Sequence, residues 1–216
     1  VVDRAPGLIP VRSLNPSAGS DSMRWTDSLS GLTGALSALA VTDAQGKTLD
    51  ADAAFEILSG WVRHCAQSKG RLYFVGNGAS ASMASHFAAD IAKMSGAPAE
   101  VFTDPALVTA IGNDDGYENV FAIPLRQRMR PGEVLVAVSS SGNSPNVVRA
   151  VETARELGGK VATFSAMGRN NKLRGLGHLN FYIPAETYGM AESGHAALLH
   201  HLVDRFDPRC AAQRHP

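Results

Sequence analysis

The chain has 216 residues, of which 20 are basic and 20 are acidic, so its formal net charge at neutral pH is zero. This length allows a single domain with a sizeable hydrophobic core. Without excess positive charge, neither nucleic acid nor an anionic membrane is an expected partner, and a small ligand or a protein is favoured. The longest apolar runs are shorter than a membrane span. The two cysteines, Cys65 and Cys210, lack metal-binding spacing, which favours a reduced, cytoplasmic setting.

The first third of the chain divides into an arm and a pair of helices. Its first residues are rich in Pro, Gly, Ser and Asn without a sustained period, which predicts an extended or disordered arm. Leucines spaced by three and four then predict an amphipathic helix, and Asp50 is a plausible N-cap for a second helix. The predicted organisation is an arm (1–22), one domain (23–210) that begins with the helical pair (24–69), and a tail (211–216).

From Arg71 onward, apolar strands alternate with helices. The predicted strands read "RLYFVGN", "AEVFT", "EVLVAVS", "KVATFSA" and "LNFYIP". Continuous apolar strands separated by helices are typical of a parallel sheet that is covered on both faces. The sequence therefore predicts an α/β fold with an open, doubly wound, mostly parallel five-stranded sheet. Ligands of such sheets bind beyond the carboxyl ends of the strands.

Two loops rich in small polar residues each follow a predicted strand and precede a predicted helix. The first loop, "GNGASAS", contains Asn77, Gly78 and Ser80, and the second, "SSSGNS", contains Ser139, Ser140, Ser141 and Ser144. Free N–H groups and the dipole at a helix N-terminus attract an anion, and serine hydroxyls add hydrogen-bond donors. Capping by Ser144, with Pro145 in the first helical position, would explain one serine but not four. The two loops therefore predict a phosphate-binding site.

Neither loop matches a nucleotide-binding fingerprint. Ala81 stands where the dinucleotide pattern G-x-G-x-x-G requires its third glycine, and the chain has no G-x-x-x-x-G-K-[ST] segment. A nucleotide cofactor is therefore not expected. Two serine-rich loops without either fingerprint indicate that the ligand is a phosphate monoester.

Several segments of the chain resemble the sugar isomerase (SIS) family, and most of all its phosphoheptose isomerases. They read "GNGASASMASHFAADI", "AIGNDDGYENVF" and "SSSGNSPNVVRAVETARELG", followed by the last helix with His195 and His200. The resemblance runs from about Asp50 to Phe206 in the same order. It implies the SIS fold, aldose–ketose isomerisation of a sugar phosphate such as sedoheptulose 7-phosphate, and a homotetramer or dimer with active sites between subunits.

The resemblance also implies roles for individual residues. The implied substrate and phosphate contacts are Asn77, Gly78, Ser80, Asp114, Ser139, Ser140, Ser141, Ser144 and Glu192. The implied catalytic acid and base, in either order, are Asp90 and His200. The ligands of the Zn²⁺ ion that some members hold would be His86, Asp90, Glu192 and His200.

The residue types support part of this assignment independently. His86 and Asp90 are four residues apart on one predicted helix, so their side chains share a face, although such pairs are also common on solvated surfaces. Glu192 and His200 are eight residues apart, about 12 Å along a helix. One copy can bring both to one ion only if the helix begins after Glu192, so a second subunit is the favoured source of one ligand. Histidine and carboxylate ligands suit zinc.

The chain departs from the family pattern near the sugar-binding end. Asp90 replaces a glutamate, Glu192 replaces a glutamine, and Met94 and Gly189 stand where the family tends to have arginine and aspartate. Another seven- or eight-carbon sugar phosphate is therefore an alternative substrate. A non-catalytic phosphosugar-binding adaptor or sensor, as in SIS proteins that bind the replication initiator, is a second alternative, although the carboxylate and histidine pair favours an enzyme. His195 is either a group that supports the site or a surface residue.

Overall fold

The computed structural model describes residues 24–211, so the predicted arm and nearly all of the predicted tail lie outside the described residues. Its helices are α1 (Trp25–Ser37), α2 (Ala51–Ser68), α3 (Ala79–Ser95), α4 (Pro105–Asp114), α5 (Ala122–Arg128), α6 (Pro145–Glu156), α7 (Tyr188–Asp204) and α8 (Pro208–Ala211). Its strands are β1 (Ala40–Asp43), β2 (Thr48–Leu49), β3 (Leu72–Val75), β4 (Ala99–Val101), β5 (Val134–Ser139), β6 (Lys160–Ala166) and β7 (Leu179–Ile183). Short 3₁₀ turns lie at Tyr117–Asn119 and Lys172–Gly175.

A single sheet in the order β2-β1-β7-β6-β5-β3-β4 forms the centre of the described domain. The five strands from β3 to β7 are mutually parallel, which confirms the predicted α/β fold and its parallel sheet. β3 has β4 on one side and β5 on the other, so the chain changes direction across the sheet at this point. Doubly wound sheets bind their ligands at such a switch point, beyond the carboxyl ends of the strands.

The sheet has seven strands in the described domain, and the predicted number of five is corrected accordingly. The segment between α1 and α2, where the sequence analysis predicted no strand, forms the hairpin β1–β2. β1 pairs antiparallel with β7, with Val41 opposite Phe181. The Asp43 side chain accepts hydrogen bonds from the main-chain N–H groups of Gln45 and Lys47, at 2.9 Å each. This hairpin forms one edge of the sheet, and β4 forms the other edge, next to β3.

The apolar side chains of each central strand alternate between two hydrophobic cores. In β5, Val134, Val136 and Val138 face the core built with α2, α3 and α7, whereas Leu135 and Ala137 face the core built with α4, α5 and α6. Helices therefore cover both faces of the sheet: α3 and α7 pack side by side on one face, and α6 lies on the other. Among the described helices, none has both the length and the apolar character required to cross a bilayer.

Candidate functional site

The two serine-rich loops lie side by side because the strands before them are parallel neighbours. Val75 at the end of β3 is opposite Ala137 in β5, so the loops that follow the two strands begin on the same side of the sheet, at its carboxyl ends. Between them is a cavity of about 300 Å³. It is lined by Asn77, Gly78, Ala79, Ser80, Ser139, Ser140, Ser141, Ser144, Tyr188 and Glu192. The predicted residues of both loops, together with Glu192 from α7, are thus gathered around one cavity.

Two hydroxyl groups of the second loop, those of Ser139 and Ser144, lie close together, and Ser144 does not act as a simple helix cap. Ser144 occupies the N-cap position of α6, but its side chain makes no capping hydrogen bond. Its Oγ lies instead 3.3 Å from Oγ of Ser139, which also accepts from the main-chain N–H of Gly142 at 3.2 Å. The interpretation of Ser144 as a helix cap alone is therefore wrong. A cluster of hydroxyl groups in this position can donate hydrogen bonds to an anion.

Gly142 allows this loop to pack closely against the segment that follows β6. Its φ of +62° belongs to the left-handed region, and a Cβ atom there would lie 2.1 Å from Oδ1 of Asn171. Its carbonyl oxygen accepts a hydrogen bond from the N–H of Leu173 at 3.1 Å. A side chain at position 142 would therefore push the serine loop away from the position that the cavity requires.

We expect Gly142→Ala to lower the free energy of unfolding by about 1–3 kcal/mol, through backbone strain and the clash with Asn171. The same variant should bind inorganic phosphate more weakly, because the loop shifts. Urea unfolding and calorimetric titration with phosphate measure the two effects. Gly175→Ala is the matched control, because a Cβ there meets nothing within 4 Å. Equal behaviour of the two variants would contradict the role of the close approach.

The first loop is held to the start of α6, directly after the second loop, by a pair of side-chain amides. Nδ2 of Asn77 donates to Oδ1 of Asn146 at 2.9 Å, and Nδ2 of Asn146 donates to Oδ1 of Asn77 at 2.8 Å. The Tyr117 hydroxyl also donates to Oδ1 of Asn77, at 3.4 Å. Sequence reasoning missed Asn146, which is only 1% exposed in the first turn of α6. An asparagine at a buried helical position was the available signal, because its amide needs hydrogen-bond partners there.

Among the described residues that line this cavity there is no lysine or arginine, and the single acidic residue is Glu192. An anion in the cavity would therefore be held by hydroxyl and N–H donors rather than by an ion pair. The Glu192 carboxylate would repel it unless a cation or a proton lies between them. This charge pattern fits a ligand whose phosphate is bound by hydrogen bonds and whose remainder lies near Glu192.

A second cluster of chemically active side chains lies where α3 packs on α7. Nε2 of His86 is 3.3 Å from Oδ2 of Asp90, and candidate ligand atoms of these two residues and of His200 lie within 4.8 Å of one another. The His200 ring also packs edge-on against Phe87, with ring centroids 4.7 Å apart. Two imidazoles and a carboxylate match the three protein ligands that a catalytic zinc site requires. The three residues therefore fit a divalent metal ion.

Glu192, the fourth predicted metal ligand, does not belong to this cluster within one chain. α7 runs without a break from Tyr188 to Asp204 and carries both Glu192 and His200. The two side chains are consequently about 12 Å apart along the helix. Glu192 lies at the serine-lined cavity, whereas His200 lies with His86 and Asp90.

Four other residues singled out in the sequence belong to neither the serine-lined cavity nor the cluster of His86, Asp90 and His200. Asp114 is exposed at the end of α4, where it accepts from Nδ2 of Asn113 at 2.7 Å, and it does not line the serine cavity. Met94 is half-buried against the core, and Gly189 is exposed at the start of α7. His195 is fully buried, so the interpretation of this histidine as a surface residue is wrong.

The fold and the serine-lined cavity define a recognised class of sugar-phosphate protein. Residues 50–166 match the family model described as the SIS domain. This range covers more than half of the chain and contains both serine-rich loops and the His86–Asp90 pair. The chain therefore belongs to the SIS domain family, as the motif resemblance predicted.

Within that family, the chain is similar to several phosphoheptose isomerases. The enzyme named so in Trichlorobacter lovleyi is 36% identical over 141 residues, which cover 62% of this chain and 71% of the relative. The one from Helicobacter pylori strain Shi470 is 37% identical over 145 residues, or 64% of this chain and 74% of the relative. The solved phosphoheptose isomerase of Neisseria gonorrhoeae superposes with a TM-score of 0.65 at 31% identity, covering 71% of this chain and 86% of that one.

Proposed function

We propose that this protein is an aldose–ketose isomerase that interconverts sedoheptulose 7-phosphate and an aldoheptose 7-phosphate. The proposal rests above all on one observation, the gathering of two serine-rich loops around one cavity in a chain whose relatives are phosphoheptose isomerases. The phosphate would lie in this cavity, and the sugar would extend from it toward the acid–base groups. A phosphosugar-binding adaptor is not favoured, because it has no need for the clustered Asp90 and His200.

The reaction moves one proton between adjacent carbons of the open-chain sugar. Asp90 or His200 would remove a proton from C1 of the ketose, and electrons of the broken C–H bond would form the double bond of an enediol. The other group would supply a proton to the carbonyl oxygen. Return of a proton to C2, with loss of the proton on the C1 oxygen, then gives the aldose. At the end of the cycle, Asp90 and His200 have each returned to the protonation state in which they began.

The active site would be shared between two copies of the chain. Asp90 lies ten residues beyond Ser80 on α3, about 15 Å along the helix, which exceeds the length of a seven-carbon chain. One protomer therefore cannot present both its serine cavity and its own Asp90 to the same substrate molecule. A homotetramer or dimer in which α3 and α7 of one copy face the cavity of another would solve this. It would also bring Glu192 of one copy toward the His86–Asp90–His200 cluster of its neighbour.

A zinc ion is part of the proposal. His86, Asp90 and His200 would hold it, and Glu192 would be the fourth ligand from the second copy. When bound, the ion would polarise the substrate's carbonyl oxygen and stabilise negative charge there. Cys65 and Cys210 are not in a disulfide in the described structure, which supports a reducing, cytoplasmic setting for the enzyme.

A panel of ketose phosphates in D₂O tests this proposal. Purified protein, after chelation and with zinc restored, is incubated with six-, seven- and eight-carbon substrates, and aldose formation is followed by NMR. We expect turnover to be fastest with the seven-carbon ketose, with deuterium entering at the carbon next to the carbonyl, and to fall on chelation. If no member of the panel reacts while sugar phosphates still raise the melting temperature, the adaptor function is correct instead.

A further inference from the structure

The orientation of the Asn77 amide is set by a main-chain group in the first turn of α6, the helix that follows the second loop. The N–H of Val147, in the first turn of α6, donates to Oδ1 of Asn146 at 3.0 Å. A backbone N–H can only donate, so it requires the oxygen and not the nitrogen of the Asn146 amide at this point. The orientation of the Asn146 side chain is thereby fixed.

The reciprocal amide pair passes this orientation on to Asn77. Oδ1 of Asn146 must face Nδ2 of Asn77, and Nδ2 of Asn146 must face Oδ1 of Asn77. The second lone pair of that Asn77 oxygen accepts from the Tyr117 hydroxyl. A carbonyl oxygen has two lone pairs and an amide nitrogen has two hydrogens, so one N–H is what Asn77 has left to offer. Asn77 lines the serine cavity, where a hydrogen-bond donor suits an anion.

We propose that Asn146 is a positioning residue that holds the Asn77 amide with its free N–H toward the phosphate. This inference rests on the proposed phosphate site. It extends that proposal, because it makes the phosphate affinity of the first loop depend on a buried side chain of α6 that does not itself line the cavity. Loss of Asn146 frees the Asn77 amide to rotate and to present its oxygen, which repels a phosphate oxygen.

A double-mutant cycle on phosphate affinity tests the coupling. Calorimetric titration with inorganic phosphate is carried out on the wild-type protein, Asn77→Ala, Asn146→Ala and the double variant, with urea unfolding of each in parallel. We expect Asn77→Ala to weaken phosphate binding about ten- to a hundredfold, since the bond that it removes is to a charged group. Asn146→Ala should weaken binding by about tenfold. The double variant should bind as Asn77→Ala does, because Asn146 acts only through Asn77.

The matched control is Asn180→Ala, at another asparagine that is 1% exposed. Asn180 lies near the beginning of β7, at the opposite end of the sheet, where it accepts from the Thr163 hydroxyl and donates to the carbonyl of Gly177. This variant should lose stability and keep its phosphate affinity within about twofold of the wild type. The stability control separates an effect on the Asn77 amide from a general loosening of the fold.

The inference would be overturned if the fold-losses of phosphate affinity in the two single variants multiply in the double variant. It would also be overturned if Asn146→Ala binds phosphate as tightly as the wild type does. If Asn146→Ala does not fold, Asn146→Ser is used, because its short side chain cannot reach Asn77. If the wild-type protein binds phosphate and the cycle is non-additive, the inference stands even where no ketose phosphate reacts. If the wild-type protein does not bind phosphate, both the inference and the phosphate site are wrong.

Discussion

Replacement of His200 by asparagine is expected to lower kcat/KM for the heptose phosphate by about 10²–10⁴-fold, the usual contribution of a positioned acid or base. His200 lies on α7 facing α3, in the cluster with His86 and Asp90. Its side chain is exposed, so the substitution leaves the hydrophobic core intact. We therefore expect a loss of turnover with little change in the melting temperature. Steady-state kinetics and a thermal unfolding curve of each protein measure the two quantities.

The control for this variant is His201→Asn, the same substitution one residue further along α7. The His201 ring is exposed and packs edge-on against Phe55, with ring centroids 4.7 Å apart, outside the three-residue cluster. This contact predicts a modest change in stability, and kcat/KM should remain within about twofold of the wild type. A comparable loss of activity in both variants would show that the histidine-bearing face of α7, rather than His200 itself, is what matters.

The His200 variant also tests whether active sites are shared between copies. A second variant, Ser140→Ala with Ser144→Ala, damages the serine cavity and keeps His200. If each site combines a cavity from one copy with an acid–base cluster from another, mixed oligomers of the two inactive chains contain some intact sites. Co-refolding should then restore measurable turnover. Mixed oligomers that remain as inactive as their parents would show that each site is built within one chain.

The parallel strands were predictable because their burial leaves a direct mark on the sequence. In β5, all six residues from Val134 to Ser139 are buried, since the strand is covered on both faces. Such a strand reads as a continuous apolar run, and alternation with helices then implies the parallel sheet. The N-cap of α2 was equally predictable, since the Asp50 side chain accepts from the N–H of Ala53 at 3.0 Å as its position predicted. These features depend on neighbours in sequence or on burial alone.

The hairpin β1–β2 was not predictable for the opposite reason. Its strands have four and two residues, of which Val41 is buried, so no periodic pattern develops. What makes β1 a strand is its pairing with β7, which is distant along the chain. Asn180 in β7 completes this contact by donating to the carbonyl of Thr42 at 3.3 Å. Long-range pairing of this kind overrides weak local preference.

The candidate site also combines local features, which the sequence pattern predicted, with long-range contacts, which it did not. Each serine loop was visible as a local segment between a strand and a helix. The link between Asn77 and Asn146 joins residues that are 69 positions apart, and it exists because β3 and β5 are neighbours in the sheet. The approach of His200 to the His86–Asp90 pair likewise depends on the packing of α7 against α3. Only the family resemblance, and no spacing, predicted that approach.

Replacement of His195 by leucine is expected to remove an acid-sensitive part of the protein's stability. His195 is on the buried side of α7 and is 0% exposed. Burial lowers the pKa of its imidazole from 6.5 to about 4, a shift that the adjoining main chain of Ser165 opposes. Neither ring nitrogen makes a hydrogen bond of normal geometry to the described residues. The folded protein therefore holds this ring neutral, whereas the unfolded chain protonates it near its ordinary pKa.

The sign of the effect follows from this difference in proton binding. Above pH 6.5 both states carry a neutral ring, and His195 adds no pH dependence; as the pH falls from 6.5 to about 4, unfolding takes up a proton. The free energy of unfolding should thus fall by about 3 kcal/mol more in the wild type than in His195→Leu over this range. Urea unfolding of both proteins at the two ends of the range measures the difference, because the other titrating groups contribute equally to each. Parallel stability curves would show that the ring is already protonated, or solvated, in the folded state. A divergence of the predicted sign would identify the centre of α7 as a point where acid weakens the packing that holds Glu192 and His200 at their two sites.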